Sequence, residues 1–403
     1  MRMTRGLPAA FAITNFAIPF FPAFITLTAV TVPGVSLVPA WFAVTLLFVM
    51  AAVAVYATAT LLIPPLQTPA TFWPLVAWMG AALLSAALGF DPRGGMLFIG
   101  IFGLALVWHL AILRYYGAPG VSRAIFTSYL ISGGLASLAA IVMVVARVPV
   151  SQYTIGHGRA IGTFILPGEL AGYLIIFLPI AYAVARVSQD ARLRWLAWGA
   201  LAAGSAAFIM TFSRAGWMGL AAAVAFSIFF GGHMRRRYAP LILLGGLAAV
   251  LVVFNAHHNP SENYTRLSIW QAGIEIVRRF PLTGVGPFNF ARIYPLVRLP
   301  DGDAAAFHAH SFLLTIFAET GLVGLLAVLF AWWRFALELL RRLHGASPAN
   351  ATIALAVAAG LVGTWVQGII DTVSVVIFGL WLPSMALAFV TATAGLGEQP
   401  RST

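Results

Sequence analysis

The chain is 403 residues long, 61% hydrophobic and only 8% charged, with no cysteine and a mean hydropathy of +0.94. Soluble domains carry about 25% charged residues, so most of this chain is built for a lipid surround, and an ordinary soluble enzyme is excluded. The lack of cysteine removes disulfides, thiolate catalysis and thiolate metal ligands, and the formal charge of +12 is carried without one lysine, all 23 cations being arginine.

A hydrocarbon core of ~30 Å takes about 20 apolar residues per helix. Runs of that length, bounded by Arg, Pro and Gly clusters, predict spans at 9–31, 37–62, 72–89, 95–116, 122–146, 167–187, 193–211, 213–230, 238–255, 311–341, 350–370 and 373–394. The expected fold is an all-α polytopic membrane protein of about 12 transmembrane helices, with no internal repeat and no soluble domain before or after the bundle. The opening Met1-Arg2-Met3-Thr4-Arg5 has the charge pattern of a signal peptide. With so many spans behind it, it reads as the start of a retained first transmembrane helix.

Twelve spans put both ends on one side, and the arginines say which. With the N-terminus inside, the cytoplasmic segments hold fourteen: Arg2, Arg5, Arg114, Arg123, Arg186, Arg192, Arg194, Arg235, Arg236, Arg237, Arg334, Arg341, Arg342 and Arg401. The short outer loops hold four, Arg93, Arg147, Arg159 and Arg214, so the positive-inside rule predicts cytoplasmic termini. The other five, Arg266, Arg278, Arg279, Arg292 and Arg298, lie in a long outer segment that divides the chain into 1–255, 256–310 and 311–403. Nucleic acid is not the partner expected for charge laid out this way. An anionic ligand on the outer face would give these five a purpose. Within the segment, Leu267, Trp270, Ile274 and Val277 form a helical stripe that Pro281 ends, a helix suited to lie flat on the membrane or cap the bundle.

Five constellations carry polar chemistry. His308 and His310 stand where the loop enters the tenth span; an imidazole there suits a general base for an acceptor hydroxyl, or simply an interfacial hydrogen bond. Glu319, nine residues on, falls on the opposite face of a continuous helix and is expected to bond to a neighbouring helix. Ser213-Arg214-Ala215-Gly216-Trp217 opens the eighth span, and an arginine at the positive end of a helix dipole needs an anion to offset it, unless it reaches out to lipid headgroups. Arg266 with Trp270 precedes Pro281-Leu282-Thr283-Gly284-Val285-Gly286, whose glycines permit a tight turn or close backbone approach. Arg159 and Glu169 flank the start of the sixth span and, with Arg147, allow an ion pair with one arginine to spare. Asp301-Gly302-Asp303 has the form of a metal-binding Asp-x-Asp but sits after Pro300 as a surface turn would. His257, His258, His308 and His310 have no ligand spacing of a known zinc site, so no metal and no cofactor is expected.

Taken together these segments resemble the O-antigen ligase and polymerase superfamily. His310-Ser311, nine residues, then Gly321-x-x-Gly324 is similar to the family's histidine and glycine pattern. Arg266-Leu267-x-Ile269-Trp270 leading to Pro281–Gly286 resembles the opening of its large periplasmic loop, and Ser213–Trp217 its membrane-edge arginine motif. Departures are Leu325 and Leu326 where two threonines are common, and Leu166-Pro167-Gly168-Glu169 where Asn-Pro-Asn is common. The resemblance implies a GT-C-like glycosyltransferase of the bacterial inner membrane with its active site on the periplasmic side. Its donor would be a glycan on undecaprenyl diphosphate and its acceptor a sugar hydroxyl of lipid A-core, with inversion and without metal. It implies His310 as catalytic base, Arg214, Arg266 and Arg159 as diphosphate ligands, and His308, Glu169 and Trp270 as support. The alternatives are an O-antigen polymerase, a protein O-glycosylation ligase and, in another class, a lipid-linked glycan transporter; the last would favour charges or broken helices at the membrane midplane.

Overall fold

The computed structural model describes residues 6–20, 52–62, 72–118, 120–230, 240, 244, 260–304, 306–343 and 346–371. Its helices are α1 (Leu7–Ala17), α2 (Ala52–Leu61), α3 (Phe72–Leu88), α4 (Pro92–Tyr115), α5 (Val121–Ala146) and α6 (Val150–Ile155). Then follow α7 (Pro167–Val187), α8 (Ala191–Met210), α9 (Arg214–Phe230), α10 (Pro260–Arg279), α11 (Phe290–Val297), α12 (Phe312–Leu343) and α13 (Pro348–Ile370).

Among the described residues there is no strand, and six helices, α4, α5, α7, α8, α12 and α13, are long and apolar enough to cross a membrane. Expected spans 72–89 and 213–230 correspond to the shorter apolar helices α3 and α9, and the described parts of 9–31 and 37–62 hold α1 and α2, the rest of those two spans lying outside the described residues. The expected spans 238–255, but for residues 240 and 244, and 373–394, with His257 and His258, lie outside the described residues.

Local chemistry starts these helices where the sequence says. Asp91 and Asp190 cap α4 and α8 by accepting the N–H groups of Arg93 and Arg192, each at 2.9 Å. Pro92, Pro167 and Pro348 occupy first-turn positions, where a missing N–H costs nothing.

The centre of the bundle is α7, buried from Leu170 to Ile176 on every face, which is the signature of a helix with no lipid-facing side. Helices α9 and α13 clasp it through glycines. A Cβ at Gly219 would fall 2.6 Å from the carbonyl oxygen of Gly363, one at Gly216 would fall 2.7 Å from the Cβ of Ala171, and one at Gly360 would fall 2.7 Å from the Cα of Ile176. These pairings make α9 parallel to α7 and antiparallel to α13, so the start of α7, the start of α9 and the end of α13 share one end of the bundle.

The tenth expected span is not one continuous helix. At Gly321 (φ 65°, ψ −168°) α12 breaks into a backbone region that only glycine visits cheaply. The segment Pro281–Gly286 fills the break. The N–H groups of Leu322 and Val323, which lost their helical acceptors, bond to the carbonyls of Pro281 (2.9 Å) and Leu282 (3.2 Å). The carbonyls of Ala318 and Glu319, which lost their helical donors, accept from Val285 (3.0 Å) and Gly286 (2.9 Å). Backbone groups left bare in an apolar interior would cost several kcal/mol each, so the loop and the broken helix require each other. Glu319 bonds to a neighbouring helix as expected: its carboxylate accepts the N–H of Phe290 at 3.3 Å, at the start of α11.

Helix α10 forms as the periodicity predicts, but its buried face is Ile269, Ala272 and Ile276, packed with Phe290, Tyr294 and Ala309. Leu267 and Ile274, on the stripe read from the sequence, are 55% and 44% exposed. The helix carries two apolar stripes, and α11 and α12 cover the one with the smaller side chains.

Gly321→Ala should therefore lower the unfolding temperature of the detergent-solubilised protein, because its Cβ would sit 2.2 Å from the Leu282 carbonyl oxygen in a conformation that costs alanine about 1–3 kcal/mol. Gly199→Ala, with nothing within 4 Å of its added carbon, is the control and should be neutral or stabilising by up to about 1 kcal/mol.

Candidate functional site

Three separate segments meet at the bundle end just described. Gly273 of α10 lies against Leu314 and Ala309, and Gly368 of α13 lies against Phe312, with added Cβ atoms 3.0 Å and 3.1 Å from their nearest neighbours. These close approaches bring α10, the entry to α12 and the end of α13 together around one carboxylate.

That carboxylate is Asp371, the residue that caps the end of α13. Its Oδ2 stands 3.5 Å from Nη2 of Arg266, and its Oδ1 stands 3.5 Å from Nδ1 of His310. The side chains of Arg266, His310 and Asp371 are 28%, 26% and 13% exposed, so the trio is reachable from solvent yet poorly screened by it. Nη1 of Arg266 also donates to the carbonyl of Ile370 at 3.3 Å, which fits a cation to the negative end of the α13 dipole. At 3.5 Å both ion pairs are looser than good hydrogen bonds.

His310 is held from both sides in sequence. Its backbone N–H donates to Nδ1 of His308 at 3.1 Å, and the N–H of Ala309 donates to the hydroxyl of Thr315 at 3.1 Å, which itself donates to the Ser311 carbonyl. The two imidazoles meet edge to face with centroids 4.6 Å apart. Packing against the protein, with His310 and Arg266 adding like charge, pushes the pKa of His308 down to about 3 against the partial pull of Asp371. His308 is neutral at physiological pH, although an edge of its ring is still reached by solvent.

Glu169 approaches the same carboxylate from α7. A Cβ at Gly168 would fall 2.7 Å from Oδ2 of Asp371, and Gln367 donates to the Gly168 carbonyl at 2.7 Å, tying α13 to α7. Glu169 is buried and accepts the N–H of Ile165 at 3.1 Å. Among the described residues it forms no ion pair with Arg147 or Arg159, so the pairing considered from the sequence is replaced by a backbone bond.

Arg214 opens α9 at this end, five residues before Gly219, and is partly buried. Ser213 caps the helix by accepting the N–H of Gly216 at 3.1 Å. The Arg159 loop joins the same end through the N–H of Ala160, which donates to the Met210 carbonyl at 2.9 Å. The Arg159 guanidinium itself donates to Gly156 at 3.4 Å. Trp270 follows one turn after Arg266 on α10, and its indole N–H is buried without a partner among the described residues. Asp301 does not face this cluster; it accepts the hydroxyl of Tyr264, which holds its carboxyl below the usual range.

The structure thus brings Arg266, His308 and His310 together and adds Asp371, which the sequence reading did not single out. The signal available for it was a lone acid at the boundary of two apolar spans, a position where an ionisable residue is a candidate by default. In chemical terms the site offers a partly exposed imidazole backed by a carboxylate, two arginines, and the starts of α7 and α9, whose dipoles favour an anion.

Burial of neutral His308 has a measurable consequence. Its folded-state pKa lies below the 6.5 of an unperturbed imidazole, so the unfolded chain takes up a proton there that the folded chain refuses. Stability is then fully present above about pH 6.5 and is lost as pH falls toward about 3. The unfolding temperature of the wild type should fall more steeply between about pH 7 and about pH 5 than that of His308→Asn; equal slopes would show that the imidazole is not held neutral.

No protein in a search of curated sequences matches the chain. Among protein families, residues 198–329 match the one described as O-antigen ligase. The matched stretch contains Arg214, Arg266, Trp270, His308, His310 and Gly321, and stops short of Asp371. The match covers the arginine, histidine and glycine motifs in one continuous piece, about a third of the chain, and supports the resemblance to the O-antigen ligase superfamily.

Proposed function

We propose that the protein is an O-antigen ligase that transfers a glycan from undecaprenyl diphosphate to a sugar hydroxyl of lipid A-core, on the periplasmic side of the bacterial inner membrane and with both termini cytoplasmic. The observation that carries this reading is the shared carboxylate: Asp371 faces both the imidazole of His310 and the guanidinium of Arg266 at 3.5 Å, inside a bundle whose residues 198–329 match the O-antigen ligase family.

The chemistry follows from those contacts. With Nδ1–H of His310 turned to Asp371, Nε2 is the free base. It takes the proton of the acceptor hydroxyl as the oxygen attacks the anomeric carbon. The new carbon–oxygen bond forms on the face opposite the diphosphate, the bond to the diphosphate oxygen breaks, and configuration inverts. Negative charge then grows on the departing undecaprenyl diphosphate, where Arg266 and Arg214 meet it with bidentate donors that never lose their charge, and Arg159 extends the cationic rim. Asp371 keeps the imidazole in the productive tautomer and stabilises the imidazolium that forms. Glu169 and Trp270 support this surface. Arginine does the work a divalent ion does in other transferases, so no metal enters the scheme.

The test uses the purified full-length protein with lipid-linked glycan and lipid A-core, the product being read by mass. Glycan on lipid A-core is the expected result; longer lipid-linked glycan would identify a polymerase, and glycan on protein a protein ligase. His310→Ala should lower transfer by about 100-fold or more, and Arg266→Ala by about 100- to 1,000-fold, in protein that still inserts and folds. Asp371→Asn should cost about 10- to 100-fold through loss of imidazole orientation. Full activity in EDTA is expected, whereas strict metal dependence would return attention to Asp301 and Asp303.

A further inference from the structure

The transfer chemistry above uses one of the two imidazoles at the mouth of α12. The other is not free to do the same task. His308 spends Nδ1 as an acceptor for the backbone N–H of His310, at 3.1 Å. A neutral imidazole has one acceptor nitrogen and one N–H, so with Nδ1 accepting, the proton must reside on Nε2. Among the described residues no protein group engages that Nε2–H, and the ring keeps a solvent-reached edge. The charged and titratable groups around it are His310 beside it, Arg266 from α10 and Asp371 from the end of α13.

A hydroxyl about to act as a nucleophile has complementary needs. It carries one proton to give and two lone pairs. A base that takes the proton leaves the hydroxyl free to swing about its C–O bond unless a donor fixes one lone pair, after which the other points along one direction only. The donor must be neutral, because a cation would compete for the diphosphate and would repel the imidazolium forming on His310.

Resting on the transfer reading, we propose that His308 is a positioning residue for the acceptor: its Nε2–H donates to the acceptor hydroxyl oxygen while His310 receives that hydroxyl's proton. The edge-to-face packing of the rings at 4.6 Å lets two nitrogens of different character address one oxygen. Burial that denies His308 a proton keeps this division of labour intact at every pH at which the enzyme would work.

Two substitutions separate the two nitrogens. The amide of asparagine stands where Nδ1 stood and preserves the tether to the His310 backbone, while the amide of glutamine stands where Nε2 stood and preserves the outward donor. With undecaprenyl-diphosphate-linked glycan saturating and lipid A-core varied, His308→Gln should stay within about 3-fold of wild type. His308→Asn should lower kcat/KM for the acceptor by about 10- to 100-fold and leave the donor KM unmoved. Asparagine as active as glutamine, or a change confined to donor KM, would overturn the proposal. A second readout needs no turnover. In full-length protein labelled with 15N-histidine in nanodiscs, the signal absent from His308→Asn should report bare Nδ1 and protonated Nε2 from about pH 8 to about pH 5; the opposite tautomer, or titration in that range, would end the idea. If His310→Ala remained active, the base assignment would fail while the His308 tautomer still stood, so the two failures are distinguishable.

Discussion

The arrangement of the site depends on a backbone that is satisfied without being helical. Inside an apolar bundle a helix cannot simply stop, because four donors and four acceptors would be stranded in a medium with nothing to bond them. The break at Gly321 is possible because Pro281–Gly286 supplies donors and acceptors in matching order on both sides of it. That exchange fixes where the loop returns, and hence how α10 with Arg266 lies against the entry of α12 with His310. The Gly-x-x-Gly motif enters the sequence reading only as part of a family pattern. In the molecule it is structural: Gly321 makes the break and Gly324 leaves space for the side chain of Thr320.

Asp371 then organises what that scaffold brings near. A single carboxylate facing an arginine and a histidine at equal distance does two electrostatic tasks at once. It neutralises part of the cationic surface while the site is empty and orients the imidazole. An incoming diphosphate would offer Arg266 a bidentate partner, leaving Asp371 to serve His310 alone. The three groups come from positions 44 and 61 residues apart along the chain, so none of this is local in sequence.

Much of the fold was legible in the composition and the run lengths, because lipid imposes a simple length rule and arginine, proline and glycine mark the ends. The spans at 122–146, 167–187, 193–211 and 350–370 fall within a few residues of α5, α7, α8 and α13. The interruption in α12 was not legible, since Gly321 within Ile316–Leu326 looks like ordinary small-residue tolerance until the loop that fills it is seen. The site was half legible. Arg214 and His310 stand out as polar residues at span ends and Arg266 as a cation on the helix of the outer segment, while Asp371 and the pairing of His308 with the His310 backbone depend on which segments become neighbours. The stripe on α10 misled for a related reason: Leu267 and Ile274 have the right helical period, but Ile269, Ala272 and Ile276 face the partners that happen to be there.

The glycine contacts among α7, α9 and α13 have a mechanical meaning. Where Gly219 meets Gly363 and Gly360 meets Ile176, main chains touch with no side chain between them to absorb a change. Gly363 lies eight residues before Asp371 on the same helix, about 12 Å at 1.5 Å per residue. The interhelical spacing at that depth acts as the fulcrum of a stiff lever whose far end carries the carboxylate. The position of the Asp371 carboxylate is therefore set in the middle of the bundle, by main-chain contacts far from the carboxylate itself.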